Sequence, residues 1–90
     1  MSVSRCELVS VKSAADFYNQ FCQQLDLGDG FGHNLDALYD ALTGLVEPPI
    51  EIVWHDSRDA RKRLGKWFDD VVSLIKEAAA ETGDIELELK

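Results

Sequence analysis

The feature that most constrains this chain is the spacing of its three strand-like segments. Arg5 to Val11 (RCELVSV) mixes β-branched and polar residues in rough alternation, and Ile50 to Trp54 (IEIVW) is mostly apolar. Asp84 to Lys90 (DIELELK) sets Ile85, Leu87 and Leu89 against Glu86 and Glu88. Each gap between these segments is long and carries two helical patterns. Long helical connections join parallel strands with right-handed topology. The predicted fold is therefore α/β, a three-stranded parallel sheet with helices packed mainly on one face, in the order β-αα-β-αα-β. The pattern leaves the order of strands within the sheet open. The half-polar closing strand predicts either a sheet face less covered than in a doubly wound fold or a sheet edge.

Four helices fill the gaps. Ser13 followed by Asp16 resembles a capping box, with Asp in place of Glu, and opens a helix from about Ala14 to Leu25. Phe17, Phe21 and Leu25 recur every four residues and belong inside, with Tyr18 and Cys22 beside them. Glu47-Pro48-Pro49 halts helical structure ahead of the second strand, because neither proline can donate a backbone hydrogen bond. Ser57 is the expected cap of a helix reaching about Leu64. Gly65 separates it from a longer helix, about Lys66 to Glu81, whose inward stripe is Phe68, Val71, Val72, Ile75 and Ala79. Thr82-Gly83 ends that helix. With 90 residues and 46% apolar content, the chain supports one domain, 1–90, around a single modest core.

The remaining helix, from about Leu35 to Thr43, carries the functional signal. Asn34 is placed to cap it, and Gly44 is the expected left-handed residue past its end. Helical periodicity puts Leu35, Leu38, Ala41 and Leu42 on one side, and Asp36, Tyr39, Asp40 and Thr43 on the other. Asp36 and Asp40 are one turn apart and repel by roughly 0.2–0.5 kcal/mol in an isolated helix. Such a pair is unfavourable alone and becomes favourable against a cationic partner. The preceding loop, Asp26 to Gly32 (DLGDGFG), is rich in glycine but has neither a P-loop lysine nor a dinucleotide fingerprint. Its aspartates repel phosphate, so nucleotide binding is not expected.

The formal net charge is −8, and its placement says more than its size. No Lys or Arg lies between Lys12 and Arg58, whereas Asp16, Asp26, Asp29, Asp36, Asp40, Glu47 and Glu51 all do. Such a field repels nucleic acid and attracts basic proteins in a salt-dependent way. The basic cluster Arg58, Arg61, Lys62, Arg63 and Lys66 lacks aromatic interleaving. It reads as a solvated helix face paired with Asp56 and Asp59, not as a nucleic-acid site. No stretch approaches the roughly 20 apolar residues of a membrane span, and the first residues lack an apolar signal region, so the expected location is the cytoplasm. In that reducing compartment Cys6 and Cys22 read as small buried hydrophobes. His33 and His55 make no metal site without a third organised ligand, so neither a metal nor another cofactor is expected.

The run Gly32, Asn34-Leu35-Asp36-Ala37-Leu38, Asp40-Ala41-Leu42-Thr43-Gly44, then Val46-Glu47 and a proline, resembles the barstar family of intracellular ribonuclease inhibitors. The similarity extends over nearly the whole chain. The proline-led second strand, Lys76-Glu77-Ala78 in the last helix and the closing Gly83-Asp84-Ile85 also fall in register. This resemblance implies that the acidic helix and the loop before it plug a ribonuclease active site. Asp40 matches the family's dominant anchor, standing in for an RNA phosphate among the enzyme's cationic side chains. Asp36 matches a second acidic contact, Tyr39 an aromatic one, and Thr43 and Glu77 further polar ones. Partner contacts are also implied at Gly30, Phe31, Gly32, His33 and Asn34 of the loop, and at Gly44 and Leu45. The implied partner is a basic, barnase-like ribonuclease, bound 1:1 in an antitoxin-like manner by a protein that is monomeric when free. Gly30-Phe31 replaces paired tyrosines of the family pattern, Tyr39 and Leu45 replace tryptophans, and His33 replaces an acid. Aromatic anchors carry much interface energy, so these departures imply a different cognate ribonuclease or a weaker complex with barnase.

Other functions compete with this one. Paired carboxylates can share acid and base work, but on a convex helix surface Asp36 and Asp40 lack the desolvation and the oxyanion site that catalysis needs. No enzyme is expected. Two carboxylates also supply too few oxygens for a hard cation. The stronger rival is an interaction module of the same fold whose basic partner is not a ribonuclease.

Overall fold

The computed structural model describes residues 3–28 and 31–90. Gly30, one of the expected partner contacts, and Asp29 lie outside the described residues. Strands β1 (Ser4–Leu8), β2 (Ile50–Trp54) and β3 (Ile85–Leu89) form a wholly parallel sheet in the order β1-β2-β3. The register aligns Cys6, Ile52 and Leu87 across the three strands. Alternation then divides the two faces. Cys6, Leu8, Ile50, Ile52, Trp54 and Ile85 join the buried core beneath the helices. Arg5, Glu7, Glu51, Val53, Glu86 and Glu88 occupy the opposite face, where Val53 is buried between Glu7 and Glu88 in the same register row. The half-polar pattern of β3 thus has both expected origins, since the strand is an edge and its glutamates lie on the less covered face. β1 ends at Leu8, short of the predicted Val11, because the chain turns at Ser10 (φ 50°) and delivers Val11 to the core.

Helices α1 (Ala14–Leu25), α2 (Leu35–Asp40), α3 (Ser57–Leu64) and α4 (Lys66–Thr82) make the second layer. At the start of α1, Ser13 Oγ accepts from the Asp16 N–H at 3.1 Å, and Asp16 reaches back to accept from the Lys12 N–H at 3.0 Å. This is the reciprocal exchange of a capping box, displaced by one residue. Phe17 and Phe21 are fully buried, and Phe17 packs 5.4 Å from Trp54 and edge-on to Trp67.

In α3 and α4 two details differ from the sequence expectation. Ser57 is the first residue of α3, not its cap: its N–H and Oγ both donate to the Lys90 carbonyl, at 2.8 and 3.0 Å. Asp56, left-handed at φ 55°, takes the cap position without a side-chain capping bond, so α3 is fastened to the end of β3 instead. In α4, Ala78 is fully buried and Ala79 only half-buried, because Val71, Ile75 and Ala78 follow the i, i+4, i+7 row. The basic cluster is largely answered at home. Arg63 meets Asp59 at 2.8 Å, Arg61 meets Asp69 at 3.5 Å and Lys66 meets Asp70 at 3.2 Å. Asp59 pairs as expected; Asp56 forms no ion pair among the described residues. Both cysteines are free, and burial pushes the Cys6 thiol up to about 12 and raises Cys22 as well. Neither has the low-pKa character of a reactive thiol.

Candidate functional site on the acidic helix

Asn34 adopts extended geometry (φ −148°), and its side-chain oxygen accepts from the Ala37 N–H at 2.8 Å, so α2 starts where the sequence places it. Leu38, Ala41 and Leu42 are buried, which fixes the helix's rotation and turns Asp36 and Asp40 outward. The far end is different from the expected left-handed stop at Gly44. From Ala41 to Leu45 the backbone widens into a π-helical turn, closed by the Val46 N–H donating to the Ala41 carbonyl at 2.8 Å. Gly44 lies inside that turn without a positive φ, and a Cβ there would meet nothing within 4 Å. The wider turn seats both Leu42 and Val46 in the core and leaves Leu45 outside, 67% exposed. π turns interrupting α-helices are frequent at functional sites.

Asp36, Asp40 and Glu77 are exposed, and among the described residues none accepts a hydrogen bond or joins an ion pair. Tyr39 is half-buried, with its hydroxyl donating to the Glu81 carboxylate of α4. Thr43 Oγ1 donates to the Tyr39 carbonyl at 2.8 Å. The Tyr39 bond pulls α4 alongside α2, and Glu77, one turn before Glu81, shares its stripe of α4. Glu81 is not among the residues that the sequence singles out, although its i, i+4 spacing from Glu77 is a usable signal.

Phe31, Gly32, Asp40 and Leu45 meet around a shallow depression of about 280 Å³, completed by Leu27 and Ala37. Phe31 is half-buried and leans toward Phe21, with ring centroids 6.3 Å apart. A Cβ on Gly32 would come to 3.0 Å from Asn34 Nδ2, so the capping amide fills the space beside that glycine. His33 is turned the other way. Its ring stacks on Tyr18 at 5.2 Å and 11°, and it lines a separate hollow with Asn19, Cys22 and Gln23 of α1. The structure therefore gathers Phe31, Gly32, Asp40 and Leu45, places Asp36 one turn away, and sets His33 apart.

Chemically, unpaired carboxylates beside exposed apolar carbon can accept charge-assisted hydrogen bonds from guanidinium or ammonium groups. Among the described residues no group of three or more His, Cys, Asp or Glu side chains could hold a metal ion. No described helix is long and apolar enough to cross a membrane.

Comparison with known proteins gives the class. A family model described as Barstar (barnase inhibitor) matches residues 1–90, and the chain belongs to that family. Barstar-family proteins are inhibitors, not enzymes. A relative from Bacillus subtilis (strain 168), named "Putative ribonuclease inhibitor YrdF", is 43% identical over 61 residues, spanning 68% of this chain and 67% of the relative. Family and relative together support a role of the ribonuclease-inhibitor kind.

Proposed function

We propose that α2, its π turn and the preceding loop enter the active site of a basic, barnase-like ribonuclease in a 1:1 complex, with Asp40 taking the place of an RNA phosphate. The observation that carries this reading is that Asp36, Asp40 and Glu77 have no partner among the described residues, whereas Asp59, Asp69 and Asp70 of α3 and α4 are paired. A nuclease cleft that holds RNA phosphates offers the complementary cations, and the exposed Leu45 and half-buried Phe31 beside Asp40 help exclude water around the pair. Asp36 and Glu77 extend the negative surface on either side. The chain works in the cytoplasm, where free Cys6 and Cys22 are at home.

The test is capture. Immobilised protein is incubated with lysate and culture medium of the source organism, and ribonuclease activity is measured before and after the eluted complex is dissociated. We expect nuclease that is silent in the complex and active after dissociation, retained less by Asp40→Asn and by high salt. Recovery of basic proteins without nuclease activity would favour the interaction-module alternative.

A further inference from the structure

The two edges of the sheet are treated differently. In β1 the Glu7 N–H donates to Gln24 Oε1 and Gln24 Nε2 donates back to the Glu7 carbonyl, both at 2.8 Å. One step along, the Val9 N–H donates to Gln20 Oε1 at 2.9 Å and Gln20 Nε2 donates to the Val9 carbonyl at 2.8 Å. Two side-chain amides of α1 thus imitate a neighbouring strand and close that edge. In β3 the Asp84 carbonyl accepts from the Ile50 N–H at 2.8 Å and the Lys90 N–H donates to the Trp54 carbonyl at 2.9 Å. Ladder alternation then directs the backbone groups of Ile85, Leu87 and Leu89 outward, and among the described residues they have no partner. Glu86 and Glu88 are exposed and, among the described residues, unpaired, and Leu89 is 42% exposed.

We propose that the outer edge of β3 docks an extended segment of a partner protein carrying Lys or Arg at alternate positions and apolar residues between them. Backbone bonds to Ile85, Leu87 and Leu89 add this segment as a fourth strand. Its basic side chains lie on the open face against Glu86 and Glu88, over a depression of about 350 Å³ lined also by Glu51 and Val53. Its apolar side chains meet Leu87 and Leu89. Charge disfavours a second copy as the occupant in the register that pairs the whole strand: antiparallel pairing of two β3 strands about Leu87 sets Glu86 opposite Glu88 twice, and like charges directly opposed are destabilising. At its start the edge borders the π turn, where Ile85 lines a hollow with Thr43 and Gly44, but the docking rests on the β3 backbone and on Glu86 and Glu88 and does not depend on the ribonuclease reading.

The experiment uses the full chain, isotope-labelled for NMR, with a synthetic peptide of alternating Lys and Val as probe and the same peptide with Glu for Lys as control. We expect the basic peptide to slow amide hydrogen exchange of Ile85, Leu87 and Leu89 about tenfold or more, as edge amides gain partners. The acidic control should leave them unchanged, and the double charge reversal Glu86→Lys with Glu88→Lys should abolish the effect while keeping circular dichroism. Absence of protection at these amides, equal protection by the acidic peptide, or response confined to Asp36 and Asp40 overturns the proposal. So does a dimer by sedimentation that protects the same amides without peptide.

Discussion

α2 and α3 both turn a strongly charged face to solvent, and they use it in opposite ways. On α3, Arg61 and Arg63 have carboxylate partners at 3.5 and 2.8 Å, supplied by Asp69 and Asp59. On α2, Asp36 and Asp40 have none among the described residues, although they sit one turn apart and repel. Exposed pairs such as those of α3 contribute little and are screened by salt. Unanswered like charges beside exposed Leu45 are what the proposed ribonuclease contact would complete. Charge density alone does not distinguish the two helices; pairing does.

Substitutions can break or sharpen that contrast. The largest effect is expected for Asp40→Ala. Its loss of ribonuclease binding should fall within about 2–5 kcal/mol, the general range for truncating one side of a desolvated interfacial charge pair. Stability should change by less than about 0.5 kcal/mol. Calorimetry and denaturation on the same sample separate the two quantities, and undiminished binding would remove Asp40 as the anchor. Asn34→Ala comes next and should cost about 1 kcal/mol of stability by urea unfolding, because the Ala37 N–H loses its cap. Gly44→Ala should raise stability by roughly 0.5–1 kcal/mol, since the φ is helical in sign and the Cβ meets open space. On the proposed reading the same variant should bind a ribonuclease more weakly, because the added methyl would stand in the partner's approach. A gain in stability with unaltered inhibition would place Gly44 outside the interface. Arg63→Ala is the smallest, at about 0.3–0.5 kcal/mol, vanishing in molar salt and leaving inhibition untouched.

Much of this was legible in the chain because it is locally encoded. The bounds of α1 and β2, the Asn34 cap and the burial of Leu38, Ala41 and Leu42 follow from capping chemistry and periodicity. The π turn was not legible, since Gly44 has the appearance of a left-handed terminator and only the demand for Val46 in the core widens the backbone instead. Ser57 misled for a similar reason, as its hydroxyl finds the distant Lys90 carbonyl in preference to its own helix. The Tyr39–Glu81 bond and the turning of His33 onto Tyr18 join segments far apart in sequence, which no spacing rule anticipates.

The glutamine clasp on β1 bears on how the chain reaches this topology. Its bonds span 11 and 17 residues, whereas the β1 to β2 contact of Arg5 with Glu51 spans 46. Closing the shorter loops costs less entropy, so we expect the clasp to form before β2 arrives. Replacing Gln24 with Ala should then slow refolding more than it speeds unfolding; a chevron showing the reverse would place the clasp late on the pathway. With its outer side already occupied, β1 offers a newcomer one side only. Formed in that order, the clasp would act as a fence during assembly, ruling out the mirror arrangement of strands before the second half of the chain has a chance to try it.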